Sequence, residues 1–223
     1  MERQTWSFGV FEPKSWEDEI SHQFYHSPST DQTLISQQSS HMFEVFSNFI
    51  EAVRPNRILE IGTAGGGTIQ FLRDELNKIG LEDSTIKSFE ISEHEWFPKM
   101  RESGIEIIVE NIFDMFYGEL TRPEMIVPYI QQEGVTVVLC DGGNKITEFN
   151  VIAPHLKEGD IIMAHDYIDT NENYLENYRD KVWNWREIGD EHIEHVSKKY
   201  DLQPFMQDEF SKAVWVCKLK NSP

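Results

Sequence analysis

Residues Arg57–Thr68 read RILEIGTAGGGT, an apolar run that passes through Glu60 into the closely spaced Gly62, Gly65, Gly66 and Gly67. No other stretch constrains the fold as much. Glycine reaches positive φ without steric cost and leaves no Cβ between the backbone and whatever approaches it. The next residues, Thr68-Ile-Gln-Phe-Leu-Arg-Asp-Glu-Leu, have the spacing of a helix. The first N–H groups of such a helix have no partner within it and point at the contents of the loop. Strand, glycine loop and helix together begin a nucleotide-type α/β site.

The rest of the chain extends this pattern. Strand-like runs occur at Arg57–Gly62, Thr85–Ile91, Ile105–Glu110, Val135–Cys140 and Asp160–Ala164, followed by Tyr200–Met206 and Ala213–Leu219. Helical spacing of apolar positions marks Thr68–Lys78, Glu93–Ser103, Thr121–Gln132 and Lys145–Leu156. Alternation of this kind predicts an α/β fold, a Rossmann-like, doubly wound, seven-stranded mixed sheet with right-handed crossovers. The last two runs have no full helix between them, which predicts a C-terminal antiparallel hairpin at the sheet edge. The expected organisation is a single domain: a helical cap over 1–54, a core over 55–166, an insertion over 167–199 and a closing hairpin over 200–223. Within the cap, Gln32–Val53 reads as one or two helices, with Met42, Phe43, Val45, Phe46, Phe49 and Ile50 as the apolar stripe. Trp183 and Trp185 in the polar insertion are candidates for a pocket wall, although packing onto the domain is the favoured reading.

The net charge of −19 excludes whole classes of partner. A surface so acidic is repelled by phosphate backbones and anionic lipid, which argues against nucleic-acid and membrane binding. The N-terminal sequence lacks the basic-then-apolar order of a signal peptide, and no apolar run approaches membrane-spanning length. Cys140 and Cys217 form no CxxC or disulfide pattern, so they read as small core hydrophobes in a reducing, cytoplasmic setting.

The loop also narrows the ligand. A dinucleotide fingerprint reads GxGxxG, whereas this chain has Ala64 at the third position. A smaller charged group, such as the amino-acid end of S-adenosylmethionine, suits helix-start N–H groups and the Thr68 hydroxyl. Its ammonium would find Glu60 or the Gly62 carbonyl. Glu90 ends the second strand, where nucleotide sites place an acid that accepts hydrogen bonds from ribose hydroxyls. Asn111 and Ile112 follow the third strand, in reach of an adenine ring.

These features resemble the class I S-adenosylmethionine-dependent methyltransferases over roughly Gln32 to Leu219. The segment LCDGGNKITEFNVIAPHLKEGDIIMAHDY, Leu139–Tyr167, looks like the small-molecule O-methyltransferases that carry Asp-Gly-x-His after strand four and His-Asp-Tyr after strand five. It is similar as well to the cephalosporin-hydroxylase and macrolide-sugar O-methyltransferase group. The resemblance implies methyl transfer to a hydroxyl of a small molecule (a sugar, phenolic or natural-product scaffold), with Glu60, Gly62, Thr63, Gly65, Gly66, Thr68, Glu90 and Asn111 at the cofactor.

Asp141, His165 and Asp166 follow adjacent strands and converge at the carboxyl edge of an open sheet. Two carboxylates and an imidazole can hold Mg²⁺ or another divalent cation, which would lower the pKa of an acceptor hydroxyl. Asp141, His165 and Asp166 are therefore the candidate metal ligands, with Asn150 as a further candidate. Asn144 stands where the similar enzymes often carry His, and it cannot take up a proton. That moves the catalytic roles to His165, Lys145 and Asp141. His192-x-x-His195 has metal-compatible spacing on an acidic segment and reads better as a solvated face. An NAD(P)-dependent oxidoreductase and a non-catalytic protein that retains the cofactor pocket are the competing readings. The oligomeric state, homo-oligomer or not, is open.

Overall fold

The computed structural model describes residues 22–114 and 118–221. Two short strands, β1 (Gln23–Ser27) and β2 (Gln32–Ser36), open this region as an antiparallel hairpin, with Asp31 in the left-handed conformation at the turn. The helix expected from Gln32 therefore begins only at α1 (Met42–Val53). Thr33 and Ile35 explain the difference, since β-branched side chains at alternate positions favour a strand. Within α1 the apolar stripe is as expected: Met42, Val45, Phe46, Phe49 and Ile50 are buried at i, i+3, i+4, i+7 and i+8 spacing. Arg54, at φ 50°, closes the helix through a hydrogen bond to the Ile50 carbonyl, ahead of Pro55.

The remaining elements follow in the predicted alternation. They run β3 (Arg57–Ile61), α2 (Gly67–Lys78), β4 (Thr85–Glu90), α3 (Phe97–Glu102) and β5 (Ile105–Val109). After a small ladder of β6 (Phe113–Asp114) and β7 (Glu119–Leu120) come α4 (Pro123–Ile130), β8 (Thr136–Cys140), α5 (Lys145–Ile152) and β9 (Ile161–Ala164). Residues of the expected insertion form α6 (Asn171–Asn173), a π-turn at Tyr174–Tyr178 and α7 (Asp190–Lys199). The chain closes with β10 (Leu202–Pro204), α8 (Gln207–Lys212) and β11 (Val216–Lys220).

Seven strands form one sheet in the order β10-β11-β9-β8-β3-β4-β5. β3, β4, β5, β8 and β9 are parallel, while β11 runs antiparallel to both β9 and β10. This is the mixed sheet with an antiparallel hairpin at its edge. One apolar cluster covers the face under α1, α2, α3 and α8, and a second covers the face under α4, α5 and α7. Burial on both faces explains why β3 and β8 are buried at every position.

The strand order reverses between β3 and β8, so a crevice opens at their carboxyl ends. Gly62 follows β3, and Asp141 follows β8. The Gly62 N–H donates to the Phe89 carbonyl, and the Asp141 N–H donates to Ile61, both at 2.9 Å. The N-terminal hairpin closes one side of this crevice. Asp74 of α2 anchors it by accepting hydrogen bonds from Tyr25 Oη and Ser27 Oγ, each at 2.7 Å. Among the described residues, no helix is long and apolar enough to cross a membrane.

Candidate active site

The glycine loop is shaped by protein backbone as much as by any ligand. A Cβ on Gly62, at φ 92°, would sit 2.4 Å from the Asp141 carbonyl oxygen. On Gly65 and Gly67 it would meet the Ile35 backbone at 2.4 and 2.7 Å. These glycines let β2 and the β8–α5 connection close onto the loop. Ile35 and Gly66 form a parallel bridge, and Thr68 Oγ1 lies 2.9 Å from Ser36 Oγ. The Thr68 hydroxyl thus already has a protein partner.

Gly62, Thr63, Gly65, Gly66, Thr68, Glu90 and Asn111 all line a cavity of about 700 Å³ at the crevice. Glu90 uses both carboxylate oxygens there, accepting from the Ala64 N–H at 2.8 Å and the Ile91 N–H at 2.7 Å. Trp96 donates from Nε1 to the Ala64 carbonyl at 3.2 Å, and its ring stacks on His94. Asn111 accepts from the Phe113 N–H, which leaves its amide N–H₂ free of that turn.

Glu60 is the exception among the expected cofactor residues. It is 1 % exposed and is absent from the cavity wall. Its Oε2 accepts from Ser88 Oγ at 2.5 Å, and Ser88 Oγ is 2.6 Å from Thr63 Oγ1. Burial raises its pKa well above the ordinary carboxylate value, against the Ser88 hydrogen bond, with Asp141 and Glu90 adding to the rise. Glu60 consequently holds Thr63 from beneath the loop rather than facing an ammonium group.

Across the crevice, Asp141, Lys145, His165 and Asp166 come together. His165 Nδ1 is 3.1 Å from Asp141 Oδ1 and 3.6 Å from Asp166 Oδ1. Lys145 Nζ is 2.9 Å from Asp166 Oδ2, 3.0 Å from Glu187 Oε2 and 3.9 Å from Asp141 Oδ1, and it donates to the Gly142 carbonyl at 3.1 Å. Trp183 Nε1 donates to Asp166 Oδ1 at 2.5 Å. The His165 ring packs against Trp183 and Trp215, each with centroids 5.0 Å away. His165 Nε2 is buried without a hydrogen-bond partner.

The charges of the cluster sustain one another. Burial alone would lower the Lys145 pKa, but Asp166, Asp141 and Glu187 outweigh it and raise it. The same balance raises His165, with Asp166 and Asp141 overcoming burial. Asp166 is drawn down despite its burial, by Lys145 and His165. A charged Lys145 is therefore an electrostatic anchor, and its raised pKa opposes the role of proton acceptor.

Fit to a divalent metal is poor in this arrangement. Asp141 spends Oδ1 on His165 and Oδ2 on Gln38 Nε2, the latter at 2.9 Å, while Asp166 spends its oxygens on Trp183 and Lys145. Among the described residues, no group of three or more His, Cys, Asp or Glu side chains is arranged to hold a metal ion. The ligand set expected from Asp141, His165 and Asp166 is directed at N–H donors instead. Asn150 lies elsewhere and donates to the His192 carbonyl at 3.1 Å. His192 Nδ1 accepts from the Gly189 N–H at the start of α7, a capping role.

The helix α5 is capped by Asn144, whose side chain accepts from the Thr147 N–H at 3.1 Å. This gives the Asn at that position a structural role and keeps Asp141 out of the cap, in the cavity wall beside His165 and Gln38. Glu148 holds the same turn by accepting from Gly142 N–H at 3.1 Å and Asn144 N–H at 3.0 Å, and burial pushes its pKa up to about 7. Cys140 and Cys217 are buried thiols with raised pKa values, as expected of core cysteines.

Sequence reasoning missed Gln38 and Glu187. Gln38 is 1 % exposed and accepts from Trp215 Nε1 at 2.8 Å, an orientation that turns its amide N–H₂ toward Asp141. Its partners lie 103 and 177 residues away, so no local spacing could have pointed to it.

No family model matches the sequence, and no curated protein matches it. Solved structures do. They include CmcI in its apo form, with a TM-score of 0.55 and 16% identity over 84% of this chain and 74% of that one. CmcI with Mg and SAM aligns at 0.52 and 14% identity, over 82% and 73% of the two chains. CmcI with SAH aligns at 0.51 and 13% identity, over 84% and 80%. At these identities the likeness is one of architecture: the chain shares the α/β fold of CmcI.

Proposed function

We propose that the protein transfers the methyl group of S-adenosylmethionine to a hydroxyl of a small molecule such as a sugar, a phenol or a natural-product scaffold. The observation that carries this reading is one cavity, of about 700 Å³, lined both by the glycine loop with Glu90 and by Asp141, Lys145 and His165. That volume suits a small-molecule site. When bound, the cofactor supplies an electrophilic methyl carbon on a sulfonium sulfur.

The residues of the chain do the rest. Glu90 has oxygen lone pairs left for ribose hydroxyls beside its two backbone partners, and Asn111 with Ile112 flanks the base. Gly62, Thr63, Gly65 and Gly66 surround the amino-acid end. Asp141 lines the cavity and keeps lone pairs beyond its contacts with His165 and Gln38, so with cofactor and acceptor bound it would take the proton that the acceptor hydroxyl gives up on methyl transfer. His165 and Gln38 hold Asp141 in place. Lys145 keeps the local charge balanced and steadies the developing negative charge on the acceptor oxygen. Holding the two reactants in line supplies much of the acceleration. No step runs through a divalent metal, because the carboxylates are already directed at protein N–H groups.

Calorimetry with S-adenosylhomocysteine and with NAD(H) tests the cofactor. Binding of the former and not the latter is expected, and the reverse would return the site to the oxidoreductase reading. Labelled S-adenosylmethionine and a panel of hydroxylated acceptors test turnover. Asp141→Asn should abolish product while leaving S-adenosylhomocysteine binding intact; a wild-type protein that binds but never releases labelled product is a binding protein.

A further inference from the structure

The Lys145 ammonium sits among the carboxylates of the site. It is surrounded by oxygens of Asp166, Glu187 and Gly142 at 2.9, 3.0 and 3.1 Å, with Asp141 at 3.9 Å. The three short contacts use all three N–H bonds of an ammonium group. Those oxygens come from three separate segments: the turn after β8, the residue following His165, and the stretch before α7. A side chain from α5 that reaches the meeting point of three segments is a built centre, and its side chain is 7 % exposed.

We propose that Lys145 replaces a divalent metal: its ammonium is the resident cation of this site, and the protein binds no Mg²⁺ or Mn²⁺ among Asp141, Asp166 and Glu187 while Lys145 is present. Hard divalent cations require oxygen ligands at about 2.0–2.6 Å, converging on one point. Here that point is filled by nitrogen, and a second positive charge would have to enter beside it. The carboxylates are also turned away from common coordination, toward Gln38, His165 and Trp183. The consequence for catalysis rests on the methyl-transfer reading. The cation preference itself does not, and it is measured separately.

The test is Mn²⁺ titration of the whole protein, followed by electron paramagnetic resonance and by thermal unfolding, for the wild type and for Lys145→Ala. The wild type should leave millimolar Mn²⁺ free and show no shift in Tm. Lys145→Ala removes the cation that Asp166 and Glu187 face and leaves His165 as the remaining basic partner of Asp141 and Asp166, and it should bind Mn²⁺ at least tenfold more tightly than the wild type and rise in Tm by a few degrees with the ion. A Lys145→Ala, Asp166→Asn double variant should lose that gain. Wild-type binding of Mn²⁺ at micromolar concentration, or a folded Lys145→Ala protein with no gain, would overturn the proposal. If Lys145→Ala does not fold without Mn²⁺, recovery of folded protein by refolding with the ion supports the proposal, and failure to recover it overturns it. Failure of the methyl-transfer reading would appear elsewhere, as absence of S-adenosylhomocysteine binding.

Discussion

Replacing Gly62 with Ala probes the contact between the cofactor loop and the catalytic turn. Two separate costs apply. At φ 92° an L side chain enters the left-handed half of conformational space, which costs about 1–2 kcal/mol. The added Cβ also falls 2.4 Å from the Asp141 carbonyl oxygen and 2.7 Å from both Asp141 C and Gly142 Cα. These are backbone atoms, so they cannot yield by a rotamer change, and overpacking of this kind costs about 1–3 kcal/mol. Together the loss should be roughly 2–5 kcal/mol. Two controls separate the terms. Gly80 has φ 74° with nothing within 4 Å of an added Cβ, so Gly80→Ala should cost only the conformational part, about 1–2 kcal/mol. Gly143 lies outside the positive-φ set and its Cβ position is open, so Gly143→Ala should stay within about 0.5 kcal/mol of the wild type. Urea unfolding followed by tryptophan fluorescence measures all three. The reasoning fails if Gly62→Ala is no more destabilised than Gly80→Ala.

Other consequences can be checked with the same protein. Glu90→Ala should weaken S-adenosylhomocysteine by about 10–100-fold in calorimetry, the scale expected when hydrogen bonds to a charged group are lost; unchanged affinity would remove Glu90 from the ribose site. Glu148, raised to about 7, binds a proton in the folded protein at a pH where it is free in the unfolded chain. Stability should therefore fall as pH rises from about 4.5 to about 7 and level off above, by at most on the order of 3 kcal/mol, and Glu148→Gln should lose that slope in pH-dependent urea titrations. His165 has a raised pKa, so its protonated form stabilises the fold fully below its unfolded value, and that contribution disappears as pH rises through the folded value. If Asp141 takes the acceptor proton, the methyl-transfer rate should climb through that same folded value of His165, and the climb should be absent in His165→Gln.

The alternation of apolar runs carried most of the fold. All seven strands of the main sheet were legible: β3, β8 and β9, buried at every position, show as short continuous apolar segments, and the partly exposed β4, β5, β10 and β11 still carry buried apolar positions. The helix read over Gln32–Ser36 came from extending the helical pattern of Met42–Val53 backward across a β-branched hairpin strand, and β1, the β6–β7 ladder and α8 were not expected either. The loop residues that line the cavity were legible too, because glycine and a strand-end acid leave local marks. Glu60 was misplaced: its residue type suits an ammonium partner, and only the tertiary neighbours show that it points beneath the loop to Ser88.

The sequence alone determined a strand, a tight glycine turn and a helix, and with the later strand ends it put Asp141, His165 and Asp166 on one edge. That much follows from backbone sterics and from the periodicity of burial. Tertiary structure decided what those groups do to each other. It showed that Gly62, Gly65 and Gly67 make room for neighbouring backbone, that Gln38 reaches Asp141 from the far N-terminal side, and that Lys145 pairs with Asp166 and Glu187 beside Asp141. Such outcomes depend on where separate segments meet, and a charge balance of that kind is set by distances of about 3 Å that no spacing along the chain encodes.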